Sequence, residues 1–320
     1  MGRHQELVDG YGWHVRRRVR AMALLVAHSI TASIMVAQAA SRSTRHAPHR
    51  ISSIPCGAFA HTTDTPTLIW RGRDVRWAEW RVALGARAVS SRIIVVRFDP
   101  RMVRLSLDLV NTGDAIGSWS LDRAPIDALL ALNAGQFTDD GPWGWVVHRG
   151  REWQAPGAGT LAGALVIDST GAVSIVDAGA VGSVRASGRV REAVQAYPTL
   201  LATGDTAPTL VCNAVTANAT PETILDRTHR DTRLAIGTTR DGFVVIAMSR
   251  FAGLGVAAER LPIGPTTPEM AEIMRRLGAT RALMLDGGLS AQLLVRATSG
   301  GTTTRWPGLR SVPLALVGKR

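Results

Sequence analysis

The stretch LMLDGGLSAQLLV, Leu283 to Val295, decides how this chain is read. An apolar run stops at Asp286-Gly287-Gly288, and a second apolar run begins a few residues later. The residues upstream set up the first run. Pro268 to Leu277 reads as a helix, because Met270, Ile273, Met274 and Leu277 fall at i, i+3, i+4 and i+7 on one face. Thr267 stands where an N-cap belongs, Pro268 suits the first turn, and Glu269 suits the positive end of the helix dipole. Gly278 is a stop signal. Ala282 to Leu285 then reads as a strand, with Asp286 at its carboxyl end. Where helices cover a sheet, such an end is a common site for a ligand crevice. Two glycines remove side chains where a ligand or another backbone must come close. The same residues also suit a plain tight turn, so the motif alone assigns no function.

Outward from this stretch, strands dominate. Ile93 to Phe98 (IIVVRF) is a continuous β-branched run, as for a buried strand. Val103, Leu105, Leu107 and Leu109 alternate with polar residues, as for a half-buried one. Pro125 to Leu132 fits either a short helix running into a strand or a strand alone. Ala164–Asp168 and Ala172–Val176 flank a Ser-Thr-Gly turn; Leu234–Thr238 and Phe243–Met248 flank Arg-Asp-Gly; both pairs predict hairpins. No internal repeat is present. The expected fold is α+β: a mixed, strand-rich β core flanked by a few helices.

The 320 residues carry a formal charge of +12, and half of that excess lies in the first 50. Lys319 is the only lysine, and no basic stripe with interleaved aromatics exists, so nucleic acid is not an expected partner. Residues 1–39 resemble an export signal or an N-terminal membrane anchor. Arg16-Arg17-Arg18-Val19-Arg20 is a positive segment, Ala21 to Val36 is mostly apolar, and Ala37-Gln38-Ala39 has the form of a cleavage site. Residues 40–66, rich in Ser, Thr, Arg, Pro and His, read as a linker, which leaves 67–320 as the folded domain. The expected location is therefore secreted, periplasmic or envelope. An oxidising compartment would permit a Cys56–Cys212 disulfide; two unrelated thiols fit equally. No cysteine or histidine spacing suits a metal, and neither a metal nor a cofactor is expected.

Two further segments share the form of a polar residue beside a strand end. One is Asn133-Ala134-Gly135-Gln136-Phe137. The other is Thr232-Arg233 ahead of LAIGT, where an arginine can offer a fork of donors to a phosphate. At this point the chain resembles the phosphodiester glycosidase domain family. The stretches ALNAGQF (131–137), GWVVHRG (144–150), AYPTLLATG (196–204), DTRLAIGTTRDGFVVIAM (231–248), TPEMAEIMRRLGATRALMLDGGLSAQLLV (267–295) and GLRSVPLALVG (308–318) follow the family's order. Three departures stand out: Gln136 replaces an aromatic or apolar residue, Leu289 a third glycine, and Arg233-Leu234 an Arg-Thr pair.

The resemblance implies hydrolysis of a sugar–phosphodiester linkage in a phosphate-linked glycan, polysaccharide or nucleotide-sugar-like substrate. A non-catalytic glycan-phosphate binding protein or an envelope structural protein is the competing reading. An oxocarbenium-like centre needs a nearby carboxylate, and the phosphate needs positive charge and fixed donors. Asp286 is the expected carboxylate, Arg233 the phosphate contact, and Asn133 a bond to a sugar hydroxyl or phosphate. Gly135, Phe137, His229, Gly287, Gly288, Ser290 and Arg310 are the further substrate-contact candidates, the two glycines through their backbone N–H groups. A second carboxylate is expected, with Asp139, Asp140 and Asp241 all open.

Overall fold

A computed structural model describes residues 66–320 except 85–88, 110, 113–114, 117, 160–161, 204–207, 211–228, 254–255 and 297–301. The signal or anchor, most of the linker, Cys56 and Cys212 lie outside the described residues.

Seven strands form the central sheet, in the order Val75–Leu84, Val89–Phe98, Val244–Phe251, Leu234–Thr239, Ala279–Leu285, Thr199–Thr203, Pro208–Leu210, every neighbouring pair antiparallel. Both predicted hairpins are present. The continuous IIVV run has a simple cause: this sheet is covered on both faces, so neither parity of side chain meets water. Ile94, Val96 and Phe98 point into the main core with Leu234, Ile236, Leu283 and Leu285. Ile93 and Val95 point the other way, onto Met270, Ala271, Ile273 and Met274 of a helix.

Two five-stranded antiparallel sheets close the opposite side of the main core. One runs Arg151–Gln154, Val146–His148, Val190–Ala196, Gly163–Asp168, Val173–Val176; the other runs Thr303–Trp306, Leu293–Arg296, Leu130–Asn133, Leu314–Lys319, Arg104–Leu109. Leu165, Val194, Leu132, Leu293 and Leu316 bring their inward faces together with the central sheet. The α+β expectation holds, with β predominating. Of the two alternatives for 125–132 the strand is correct, at Leu130–Asn133.

Helix α1 (Ala178–Ala186) was not expected, since its sequence AGAVGSVRA offers only Val181 and Val184 as an apolar contact. It lies over Trp145, Val147, Ala164 and Val166, and that packing overrides two poor helix formers. Helix α2 (Thr267–Arg276) is the predicted amphipathic helix. Its cap is corrected by one residue. Thr266, not Thr267, is the N-cap: its hydroxyl accepts from the Glu269 N–H, while the Glu269 carboxylate accepts from the Thr266 N–H at 2.8 Å. That reciprocal box needs Glu three residues after the cap, which only Thr266 satisfies.

Candidate active site

The strand Ala279–Leu285 ends beside the strand Leu130–Asn133, and four hydrogen bonds tie the junction together. The Asp286 N–H donates to the Ala134 carbonyl (3.1 Å), and the Gly288 N–H donates to the Thr232 carbonyl (2.7 Å). Asn133 Nδ2 donates to the Asp286 carbonyl (2.8 Å), and Asn133 Oδ1 accepts from the Gln292 N–H (2.9 Å). Segments around residues 133, 232 and 286 thus meet at one place, as the expected site requires. The two glycines have distinct reasons. A Cβ on Gly287 would overlap the Thr232 carbonyl oxygen, and Gly288 has φ +55°, which side chains rarely adopt. Gly135 is constrained likewise, since a Cβ there would stand 2.8 Å from the Gln195 carbonyl oxygen.

Asp286 is largely buried, and burial is the main reason its carboxyl titrates above the ordinary aspartate range. The Ser290 hydroxyl, the Arg310 guanidinium and the Gly287 N–H oppose that shift; the charge of Asp231 adds to it. Asp231 is the second carboxylate of the site. It stands against Gly288, where a Cβ would lie 3.1 Å from its Oδ2. Burial raises its pKa as well, opposed by Arg233, the Thr232 N–H and His229. Two carboxyl groups and two guanidinium groups therefore share one locality.

The predicted residues divide by what their side chains touch. Asp286 and Ser290 face each other within the site, and Arg310 lies beside them with its guanidinium 4.3 Å from the Phe137 ring centroid. His229 is exposed, its Nε2 3.9 Å from Asp231 Oδ2. Arg233 is partly buried; its Nε donates to the Pro265 carbonyl (3.2 Å) and one terminal nitrogen donates to the His229 carbonyl (2.8 Å). Arg310 is the more exposed guanidinium.

Three expectations change in detail. Asn133 has 0% exposure and both ends of its amide on backbone, so it positions the Asp286 strand end and reaches no sugar hydroxyl or phosphate. The backbone N–H groups of Gly287 and Gly288 are spent inside the protein, on the Asp286 carboxyl and the Thr232 carbonyl. Of the candidates for second carboxylate, Asp241 lies in the hairpin turn at the far end of its strand from Asp286, paired with Arg97 at 2.6 Å, whereas Asp139 and Asp140 are exposed around the turn that follows Phe137, the ring on which Arg310 packs. Asp231 was missed because nothing local marks it. Its one signal was its place two residues before Arg233 at the head of a buried strand.

The departures also find places. Gln136 pairs its amide with the Tyr197 backbone, donating to the carbonyl (2.7 Å) and accepting from the N–H (3.2 Å), as a strand neighbour would. Leu289 turns its side chain outward at 45% exposure, while its carbonyl accepts from the Leu309 N–H (2.7 Å) and the Arg310 N–H (3.2 Å). Beside Arg310 and Gln292 opens a cavity of about 390 Å³. A larger one, about 510 Å³, lies under α1 and has no carboxylate in its wall. Among the described residues no group of three or more His, Cys, Asp or Glu could hold a metal ion.

The phosphodiester glycosidase family profile matches residues 127–317. Among solved structures, the catalytic domain of zebrafish N-acetylglucosamine-1-phosphodiester alpha-N-acetylglucosaminidase, auto-inhibited by its pro-peptide, is similar at 14% identity and a TM-score of 0.56, over 81% of this chain and 85% of that one. A hypothetical protein from Synechocystis aligns at 17% identity and a TM-score of 0.49, over 80% of this chain; this chain spans 64% of that protein's length. An exported protein from Burkholderia pseudomallei aligns at 17% identity and a TM-score of 0.46, over 72% of this chain and 74% of that one. At these identities the likeness is one of fold. No curated protein matches.

Proposed function

The chain belongs to the phosphodiester glycosidase family, and on that premise we propose that it hydrolyses the bond between a sugar's anomeric carbon and the phosphate of a phosphodiester. The sugar is released and a phosphomonoester stays on the other group. The observation that carries this reading is the pair of partly buried carboxyls, Asp286 and Asp231, flanked by Arg310 and Arg233.

The chemistry asks little of a general acid, because a phosphate departs with the bonding electron pair more readily than an alkoxide. It asks for a carboxylate at the positively charged anomeric centre and for cations at the phosphate. Asp286, oriented by Ser290 and Gly287, is the group for the first task, attacking the anomeric carbon or activating water. Asp231 is its partner in holding and returning the proton. Arg310, exposed and braced against Phe137, is the leading phosphate contact, with Arg233 behind it. Asn133 serves by fixing the backbone of Asp286.

Full-length protein assayed on UDP-GlcNAc or another sugar phosphodiester tests this. Turnover that disappears in Asp286→Asn and Asp231→Asn, and a raised KM in Arg310→Ala, are expected. Undiminished turnover in Asp286→Asn would overturn the assignment; binding without turnover in the wild type would favour the non-catalytic alternative. We further place the protein outside the cytoplasm, acting on phosphate-linked glycans of an envelope or exopolysaccharide. The support is the positive, apolar and small-residue succession of residues 16–39. An intact mass of protein recovered from cells that begins before residue 37 would count against a cleaved signal.

A further inference from the structure

A third cavity, about 390 Å³, lies between the edge strand Arg104–Leu109 and the hairpin Val146–His148/Arg151–Gln154. Leu107, Asp108, Leu109, His148, Arg149, Arg151 and Trp153 line it, and none of these belongs to the site at Asp286. Four features distinguish it from ordinary surface.

Its arginines outnumber its acids. Arg149 and Arg151 form no ion pair among the described residues, and Glu152, the acid that follows Arg151, is held elsewhere by Arg185 (2.6 Å) and by the Trp145 indole N–H (3.0 Å). The one acid in the wall, Asp108, accepts from the Trp119 indole N–H (3.0 Å). Its histidine is held from behind: His148 Nδ1 lies 2.9 Å from Oε2 of Glu192, a carboxylate with 1% exposure whose Oε1 has no hydrogen-bond partner among the described residues. An acid buried at that cost fixes the ring and leaves Nε2 for a ligand. Trp153, 37% exposed, carries Arg151 4.7 Å from its ring centroid.

The backbone supplies the fourth feature. Arg149 (φ +53°) and Gly150 (φ +76°) close the hairpin between His148 and Arg151. A two-residue turn with both φ positive favours Asn-Gly. Arginine there is strained, and strain of this kind collects at functional positions.

We propose that this cavity is a second binding site, for a phosphate-bearing sugar. Arg149, Arg151 and His148 take the phosphate, and the free edge of Trp153 takes the sugar ring. Planar guanidinium forks match phosphate oxygens, and a tryptophan offers an apolar surface to a ring. The inference goes beyond the reading of Asp286 and stands without it.

Calorimetric titration of the full chain with glucose 6-phosphate tests the proposal, because that sugar carries no glycosidic phosphate to cleave. Inorganic phosphate and glucose serve as comparison ligands. Saturable binding is expected, tighter than for either comparison ligand and weakened by salt. Arg151→Gln should weaken it at least about tenfold, the loss of one charge-assisted contact. Arg149→Asn should weaken it too while raising the melting temperature, since asparagine tolerates the turn that arginine strains. Arg310→Ala should leave it unchanged. Absent binding, binding indifferent to both Arg149→Asn and Arg151→Gln, binding lost in Arg310→Ala, or equal affinity for glucose or for inorganic phosphate would each overturn it.

Discussion

At Asp286 a carboxyl is kept where water cannot easily solvate its charge, and its pKa rises accordingly. The folded state therefore holds a proton at pH values where the unfolded chain has released it. The stability this contributes is present below the ordinary aspartate range and is lost as pH rises through the raised folded value. Two outcomes follow for Asp286→Asn. Its kcat should fall by about 10²–10⁴, the usual worth of a positioned acid or base. Its melting temperature should rise at pH 7, and the gain should shrink towards pH 4; steady-state kinetics beside calorimetry at both values checks this. If Asp286 acts ionised, as proposed, wild-type activity should fail on the acidic side at a pH above that of an ordinary aspartate. The ordered motifs that carry Asp286 and Arg310 were legible from sequence. Asp231 was not, because its nearness to Asp286 depends on the Thr232–Gly288 contact across distant segments.

Secondary elements place these groups, and their ends matter most. The cap of α2 gives a clean comparison. Thr266→Ala removes the side-chain half of the capping box and should cost about 1 kcal/mol, whereas Thr267→Ala should cost less than half of that. Urea unfolding of both variants decides between the two threonines. At the other end of the same unit, Gly287→Ala pushes a methyl into the Thr232 carbonyl and should cost about 1–3 kcal/mol, an overpacking penalty, with activity lost alongside. Elements with a strong period, such as α2 and the two hairpins, could be read from the chain. Helix α1 could not, because its stability comes from the sheet beneath it, not from its own residues.

Across the whole molecule, one buried cation links the central sheet to the rim of the candidate site. Arg250, on the strand Val244–Phe251, is 3% exposed and donates to the carbonyls of Ala291 (2.9 Å), Trp306 (3.1 Å) and Pro307 (2.9 Å). Burial pushes its guanidinium down to about 10. Those carbonyls bracket the chain that carries Ser290 and Arg310. Arg250→Met should leave them unsatisfied, lower stability by about 1–3 kcal/mol, and raise KM more than it lowers kcat. Unfolding and kinetics on the same preparation check both. A change in kcat alone would show that Arg250 does not hold the rim that carries Arg310.

Sequence by itself determined the strand-rich α+β class, the two hairpins, the helix feeding the Asp-Gly-Gly turn, and the family. These rest on local period, turn chemistry and ordered motifs, all written along one dimension. Tertiary structure decided which polar groups face the site and which face each other. It turned Asn133 inward as a brace, spent the glycine N–H groups on the Asp286 carboxyl and the Thr232 carbonyl, and brought Asp231 beside Asp286. Hydrogen-bond partners and burial are set by segments far apart along the chain, so no local pattern encodes them.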